Sequence, residues 1–315
     1  MVRPFDWRDF GFVHRLSEQG VCFDTEAALT RGPHVLQAAL MAFLAPGIGS
    51  PTFVCRKGQN NGDSAFGQIR FRSGDEHARL NFIAPGRADD AAWNALLECL
   101  TAEAASRGAH NLVAEVNEKG AEFEILRRFG FAIYARQDIW KLAELRPPAA
   151  AARLRPQQSV DNFGIHTLYA NTVPRLIQQV EPPPPRYSHG YVLEENGEYV
   201  AYFDVKRGPL GIWVQPYLHP GVFDHSAVLL ADLVRHITER NTTPVPIFVC
   251  VRSHQDWLRS PLTDLGFEAW GEQAVMVKRL AVRVGEPEFK PLPVIAGSKV
   301  PSQMIKSQQY AKTNH

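Results

Sequence analysis

The chain has 315 residues, 45% of them hydrophobic, with 34 Lys and Arg set against 33 Asp and Glu. That length amounts to about two domains at the usual ~100–200 residues each, and the balanced charge excludes a general polyanion binder, so nucleic acid is not an expected partner. No run approaches transmembrane length, no membrane span is expected, and the first ten residues lack the apolar stretch of a signal peptide, so a soluble, cytoplasmic protein is expected.

In chain order, residues 52–55, 65–71 and 77–83 alternate as strands, separated by turn signals at Asn60-Asn61-Gly62-Asp63 and Ser73-Gly74-Asp75. Trp93, Leu96, Leu97 and Leu100 then recur at helical spacing. A short apolar strand is predicted at 111–116, a second helix ends at Gly130-Phe131, and a strand pair is predicted over 132–142. Residues 146–158, with Pro147-Pro148 and a run of alanines, read as a linker. The same series follows again. Strands at 191–193 and 199–205 flank the hairpin signal Glu195-Asn196-Gly197, and a third strand is predicted at 211–218. A helix carries Val228, Leu229, Leu233, Val234 and Ile237, a strand spans 245–251, and a second helix ends at Gly266-Phe267 before a strand pair over 269–280. After Val284 the prolines Pro291, Pro293 and Pro301 and the lack of periodicity predict an extended or disordered arm.

The repetition is visible in short markers as well. Phe10-Gly11-Phe12 recurs as Phe163-Gly164-Ile165, and Ile83-Ala84-Pro85-Gly86 as Leu218-His219-Pro220-Gly221. Phe129-Gly130-Phe131 recurs as Leu265-Gly266-Phe267 at nearly unchanged spacing. The chain is therefore divided into an N-terminal domain (1–142), a linker (143–159), a C-terminal domain (160–283) and a tail (284–315). Each domain is predicted to be α/β, a mixed, mostly antiparallel sheet flanked by helices. The cysteines Cys22, Cys55, Cys99 and Cys250 are scattered and form no C-x-x-C pair, so reduced thiols are expected.

The order of helix, meander, helix, strand, helix and closing strands, with a helix ending at Gly-Phe, resembles the GNAT family of N-acetyltransferases. Val2-Arg3-Pro4-Phe5 with Asp9 is similar to the family's opening, and Asn117 falls where an asparagine often follows the fifth strand. The resemblance implies two tandem GNAT-like domains and an acyl-CoA-dependent N-acyltransferase, with acetyl-CoA or another acyl-CoA as cofactor and a small-molecule or protein amine as acceptor. By position in that fold, Ile83, Ala84, Ala91, Ala92 and Asn117 in the first copy, and Leu218, Ser226 and Ala227 in the second, would line the cofactor.

Two family motifs are replaced in both copies. The glycine-rich segment that offers backbone N–H groups to a pyrophosphate reads Ala88-Asp89-Asp90-Ala91-Ala92-Trp93 in one and Phe223-Asp224-His225-Ser226-Ala227-Val228 in the other. Aspartates there have an ordinary role as helix caps that satisfy those N–H groups. The tyrosine that many members use as general acid is Leu126 in one copy and Leu262 in the other. Tyr134 and Trp257, nearby, read as core or surface aromatics. If either copy is active, Glu115 and His219 are the candidate bases, with His225 and His254 near the second cleft. The spacing of these histidines matches no ligand pattern, so no metal is expected. Glu181-Pro182-Pro183-Pro184-Pro185-Arg186 reads as a stiff loop that, like the basic tail, is a candidate for holding a protein partner. Two readings stay open: a divergent acyltransferase, or a non-catalytic binding or assembly module without cofactor.

Overall fold

The computed structural model describes residues 1–281 except 46–49, 57–63, 72–74, 87–89, 145–152, 186–188 and 241–243. The described elements belong to one compact unit, Met1–Arg283. The expected tail, the turn at Asn60–63, Ser73-Gly74, Asp89, Pro147-Pro148 and Arg186 lie outside the described residues.

The first half runs β1 (Val2–Pro4), α1 (Phe10–Ser17), β2 (Val21–Cys22), α2 (Thr25–Arg31), α3 (Val35–Leu44), β3 (Thr52–Cys55), β4 (Ala65–Arg70) and β5 (His77–Ala84). It continues with α4 (Asp90–Ser106), β6 (Asn111–Val116), α5 (Ala121–Arg128) and β7 (Ala132–Leu142). The second half repeats the plan with β8 (Arg155–Pro156), α6 (Asn162–Thr172), α7 (Arg175–Gln178), β9 (Gly190–Glu195), β10 (Glu198–Arg207) and β11 (Ile212–Leu218). It closes with α8 (Ser226–Arg240), β12 (Ile247–Arg252), α9 (Arg259–Asp264) and β13 (Glu268–Arg279).

Every residue of β6 and of β12 is buried, as expected of central strands covered on both faces. The apolar stripe of α4 seats Trp93, Leu96, Leu97 and Leu100 in the first core, and Leu229, Leu230, Leu233, Val234 and Ile237 of α8 sit in the second. Val228, which the periodicity assigned to that stripe, is 37% exposed, and Leu230 takes its place. Asn196 and Gly197 both have positive φ, which fits the expected hairpin turn. Gly130 and Gly266, also at positive φ, let the chain reverse after α5 and α9. There the N–H of Phe131 returns to the carbonyl of Leu126, and that of Phe267 to Leu262.

The repeat begins earlier in its second copy than the linker reading placed it. Arg3 grips the buried Asp9 through both carboxylate oxygens at 2.6 and 2.8 Å, and Arg155 grips the buried Asp161 in the same way at 2.8 and 2.9 Å. Arg155–Pro156 is thus a strand inside the stretch 143–159, pairing with β9 as β1 pairs with β3.

One mixed sheet unites the halves in the order β1-β3-β4-β5-β6-β13-β7-β12-β11-β10-β9-β8, with β2 added alongside β5. The expected closing strand pairs are single long strands, and they are exchanged. β13, from the second half, pairs with β6 of the first, while β7, from the first half, pairs with β12 of the second. β7 and β13 meet antiparallel at the centre. Each half therefore covers the open edge of the other's central strand, an edge that would otherwise present unpaired N–H and C=O groups.

Candidate functional site

In the first half, β5 and β6 run parallel over three residue pairs, from His77 with Asn111 to Arg79 with Val113, and separate beyond. The chain's own segment 19–24 occupies the opening. Val21 pairs with Ile83 and Cys22 with Phe82. The Phe23 N–H donates to Asn81 at 3.0 Å, and the Gly86 N–H donates to Gln19 at 2.7 Å. From the opposite strand, the Glu115 N–H donates to the Phe23 carbonyl at 2.9 Å. The segment thus bonds to both lips of the opening. Phe23 is 1% exposed and meets Trp93 edge-on at 5.9 Å, while Trp93 Nε1 donates to the Pro85 carbonyl at 3.1 Å. A Cβ on Gly20 would lie 2.1 Å from the Phe82 ring, so glycine lets the segment lie this close.

The predicted first-copy residues divide accordingly. Ile83 and Ala84 are buried strand residues, the former paired to the inserted segment. Glu115 is buried and engaged: Oε2 accepts the Thr25 N–H at 2.9 Å, tying down the first turn of α2, and Oε1 accepts from Arg79 at 3.1 Å. Asn117 is exposed and accepts the Lys119 N–H at 2.8 Å. Ala91 is exposed and Ala92 buried. Asp90 pairs with Arg128 of α5 at 2.7 Å. Leu126 and Leu262 are both fully buried core residues.

In the second half β11 and β12 likewise run parallel from Ile212 with Ile247 to Val214 with Val249. Here side chains bridge the opening. Buried Gln255 donates Nε2 to the Pro216 carbonyl at 2.9 Å, and Gln215 donates to Cys250 at 3.5 Å. Pro216 itself has no N–H to offer. His219 caps the 3₁₀ turn Pro220–His225, its Nδ1 accepting the Gly221 N–H at 3.1 Å. Asp224, the expected cap of the following helix, lies within this turn and is exposed. Leu218 and Ser226 are buried, with Ser226 Oγ donating to Phe223 at 2.8 Å, and Ala227 is exposed. Trp257 packs on Phe223 at 5.2 Å. His225 is exposed, whereas half-buried His254 is held down at about 4, first by burial and then by Arg252. Among the described residues no group of three or more His, Cys, Asp or Glu is placed to hold a metal ion.

A cluster of ionisable groups lies where the halves join. Register places Arg79, Glu115, Gln273, Gln137 and Arg252 on one face of the sheet, linked through Val113, Val275 and Val277. The β7–β13 register shifts between Val275 and Met276, which leaves Tyr134 as an extra residue. At this bulge Tyr134 and Ala135 both reach the same apolar cluster as Tyr169 and Val180. Glu181 Oε1 accepts from Tyr134 OH and from Arg252 Nη2, at 2.5 and 2.6 Å. Burial works to raise the Glu181 carboxyl, but Arg252, the Tyr134 hydrogen bond and Arg79 outweigh it and keep the group ionised. Burial, then the neighbouring Glu181, push Tyr134 well above its ordinary value. On the other flank, Lys206, Arg79 and Arg70 overcome the burial of Glu26 and hold it at about 2.

Sequence reading did not assign Tyr134, Arg79 or Arg252 to this cluster, nor Gln255 to the second opening. Glu181 was within reach, since it opens the proline run already singled out. The proline run itself folds back: Pro184 is buried and its carbonyl contacts His166 Nε2 at 3.1 Å.

No protein-family model matches the sequence, and no curated protein matches it. Solved structures match it in fold. A GCN5-related N-acetyltransferase from Sphaerobacter thermophilus has a TM-score of 0.55 at 11% identity, covering 89% of this chain and 95% of that one. A tandem GNAT protein from the clavulanic acid biosynthesis pathway has a TM-score of 0.51 at 16% identity, covering 89% and 98%. A Drosophila protein has a TM-score of 0.52 at 12% identity over the same shares. The chain has the fold of the GNAT N-acetyltransferases, a large mixed sheet flanked by helices and built in tandem.

Proposed function

We propose that this is a tandem GNAT-fold protein that no longer performs ordinary acetyl transfer and serves as a binding or assembly module. The observation that carries this reading is the segment 19–24, hydrogen-bonded to β5 and β6 in the opening between them. An extended acyl-CoA arm entering there would have to break those bonds and expel Phe23 from the core. The residues present do not fit an acyl-CoA in the first half. In the second half, the Gln255 bridge to Pro216 and the His219 cap use backbone groups on the same edge. A protein partner reading the exposed prolines Pro182, Pro183 and Pro185 fits a module of this kind.

A second reading, acyl transfer to an amine at the second half, draws on one observation: an ionised, half-buried carboxylate, Glu181, hydrogen-bonded to Arg252 at the end of β12. Calorimetric titration of the full chain with acetyl-CoA and longer acyl-CoAs separates the two. Absence of binding by all of them is the expected result. Micromolar binding of any one overturns the proposal and favours the acyltransferase.

A further inference from the structure

We propose that the proline run 182–185 is a preformed ligand for a protein domain with an aromatic-lined groove, of the kind that reads two prolines three residues apart. This rests on the binding-module reading above and names the class of partner for it.

The run dictates its own backbone. Each proline ring holds φ near about −65°, and Glu181, Pro182, Pro183 and Pro184 each precede a proline, which keeps them out of the helical region. Residues 182–185 belong to no α-helix or strand, and the conformation left to them is polyproline II, left-handed with about three residues per turn. Burial follows that period. Glu181 and Pro184 face inward, the first half-buried and the second buried, while Pro182, Pro183 and Pro185 are exposed.

Both inward positions are tied down. The Glu181 carbonyl accepts from Tyr169 OH at 2.6 Å, and its carboxylate accepts from Arg252 and Tyr134. One turn on, the Pro184 carbonyl meets His166 Nε2 at 3.1 Å. Tyr169 and His166 both belong to α6, so a single helix holds both ends of the turn. A segment fixed in its extended form has little ordering left to lose on binding, and that ordering is a main cost for a flexible proline-rich peptide.

The outward side selects the partner. Pro182 and Pro185 lie on one ridge, about 9 Å apart at about 3.1 Å per residue. Four successive prolines carry no N–H, and the neighbouring charge, Glu181, is turned inward and paired. The ridge within 182–185 therefore offers flat apolar rings and carbonyl acceptors, with no donor and no charge. Its complement is a groove of aromatic rings that seat the prolines, with Trp N–H or Tyr O–H groups donating to the carbonyls. A basic or acidic surface would find nothing there to pair with.

The test titrates the full-length protein with a panel of SH3, WW and EVH1 domains by calorimetry. At least one is expected to bind. Replacing both ridge residues, Pro182→Ala with Pro185→Ala, is expected to weaken that binding about tenfold or more. Pro209→Ala, at an exposed proline in another loop, is expected to leave it unchanged. His166→Ala keeps every outward ring but frees one inward tie, and is expected to weaken binding by a smaller factor with a more unfavourable binding entropy. Absence of binding by every domain overturns the proposal, while the acyl-CoA titration judges the binding-module reading separately. Binding that the double variant leaves unaltered, or that Pro209→Ala weakens equally, also overturns it. Self-association of the chain that the double variant abolishes would assign the ridge to a second copy and overturn it too.

Discussion

Replacing Phe23 by alanine probes whether the segment in the first-half opening is an integral part of the core. Phe23 is 1% exposed and belongs to the first-half cluster with Trp93, Leu96 and Leu97. Phenylalanine-to-alanine changes at such positions cost about 3–5 kcal/mol, the lost transfer energy plus a cavity that the surroundings fill only in part. Trp93 cannot readily swing into the space, because its indole nitrogen is tied to the Pro85 carbonyl, so the upper part of that range is expected. Of this, about 0.5–1.5 kcal/mol belongs to the edge-on ring contact. Urea unfolding of the full chain measures the loss, with Phe43→Ala as the control, since Phe43 is 42% exposed. Hydrogen exchange adds a local reading: the Phe23 and Glu115 amides, which bond across the segment, are expected to lose protection together. A Phe23→Ala cost no larger than that of Phe43→Ala, with both amides still protected, would refute the reasoning.

Glu115 separates a structural from a chemical role: Glu115→Ala leaves Arg79 and the Thr25 N–H without their acceptor, and a loss of about 3–5 kcal/mol is expected in urea unfolding. Glu115→Gln keeps one acceptor oxygen and is expected to cost less than half as much. Split at the linker, the two halves are expected to be insoluble alone and to associate when co-expressed, because β7 and β13 each complete the other half's sheet; gel filtration of each half checks this, and a folded, monomeric single half would count against the exchange. Asp161 is held at about 2, first by its Arg155 hydrogen bonds, against a free value of 3.8. Its folded value is depressed, so its stabilisation is complete above about pH 4 and is lost as the pH falls through about 2. Arg155→Met is expected to flatten that acid limb in urea unfolding followed against pH.

How much of this was legible in the sequence varies element by element. The α4 stripe and the hairpin at Asn196-Gly197 rest on local spacing and turn chemistry, and both could be read directly. The duplication was legible from ordered markers. A sharper marker was also present, Arg3-Pro4 with Asp9 and Arg155-Pro156 with Asp161, whose second copy begins within the stretch assigned to the linker. Glu115 was legible as a carboxylate on the strand 111–116 and a candidate base, but not its partners. Thr25 lies 90 residues away in the chain, and nothing local connects the two.

The sequence by itself determined the α/β class and the tandem, GNAT-like order of the elements. These depend on residue type and short-range periodicity. Only the tertiary structure decided which half each closing strand completes, because β7 and β13 carry alternation that suits either neighbour equally well. It also decided what lies in the two openings. A two-residue strand at Val21–Cys22 is too short to stand out by pattern, and its place is fixed by hydrogen bonds to β5 and β6 and by the burial of Phe23. The meeting of Tyr134, Glu181 and Arg252 depends on that same exchange, which sets β7 beside β12.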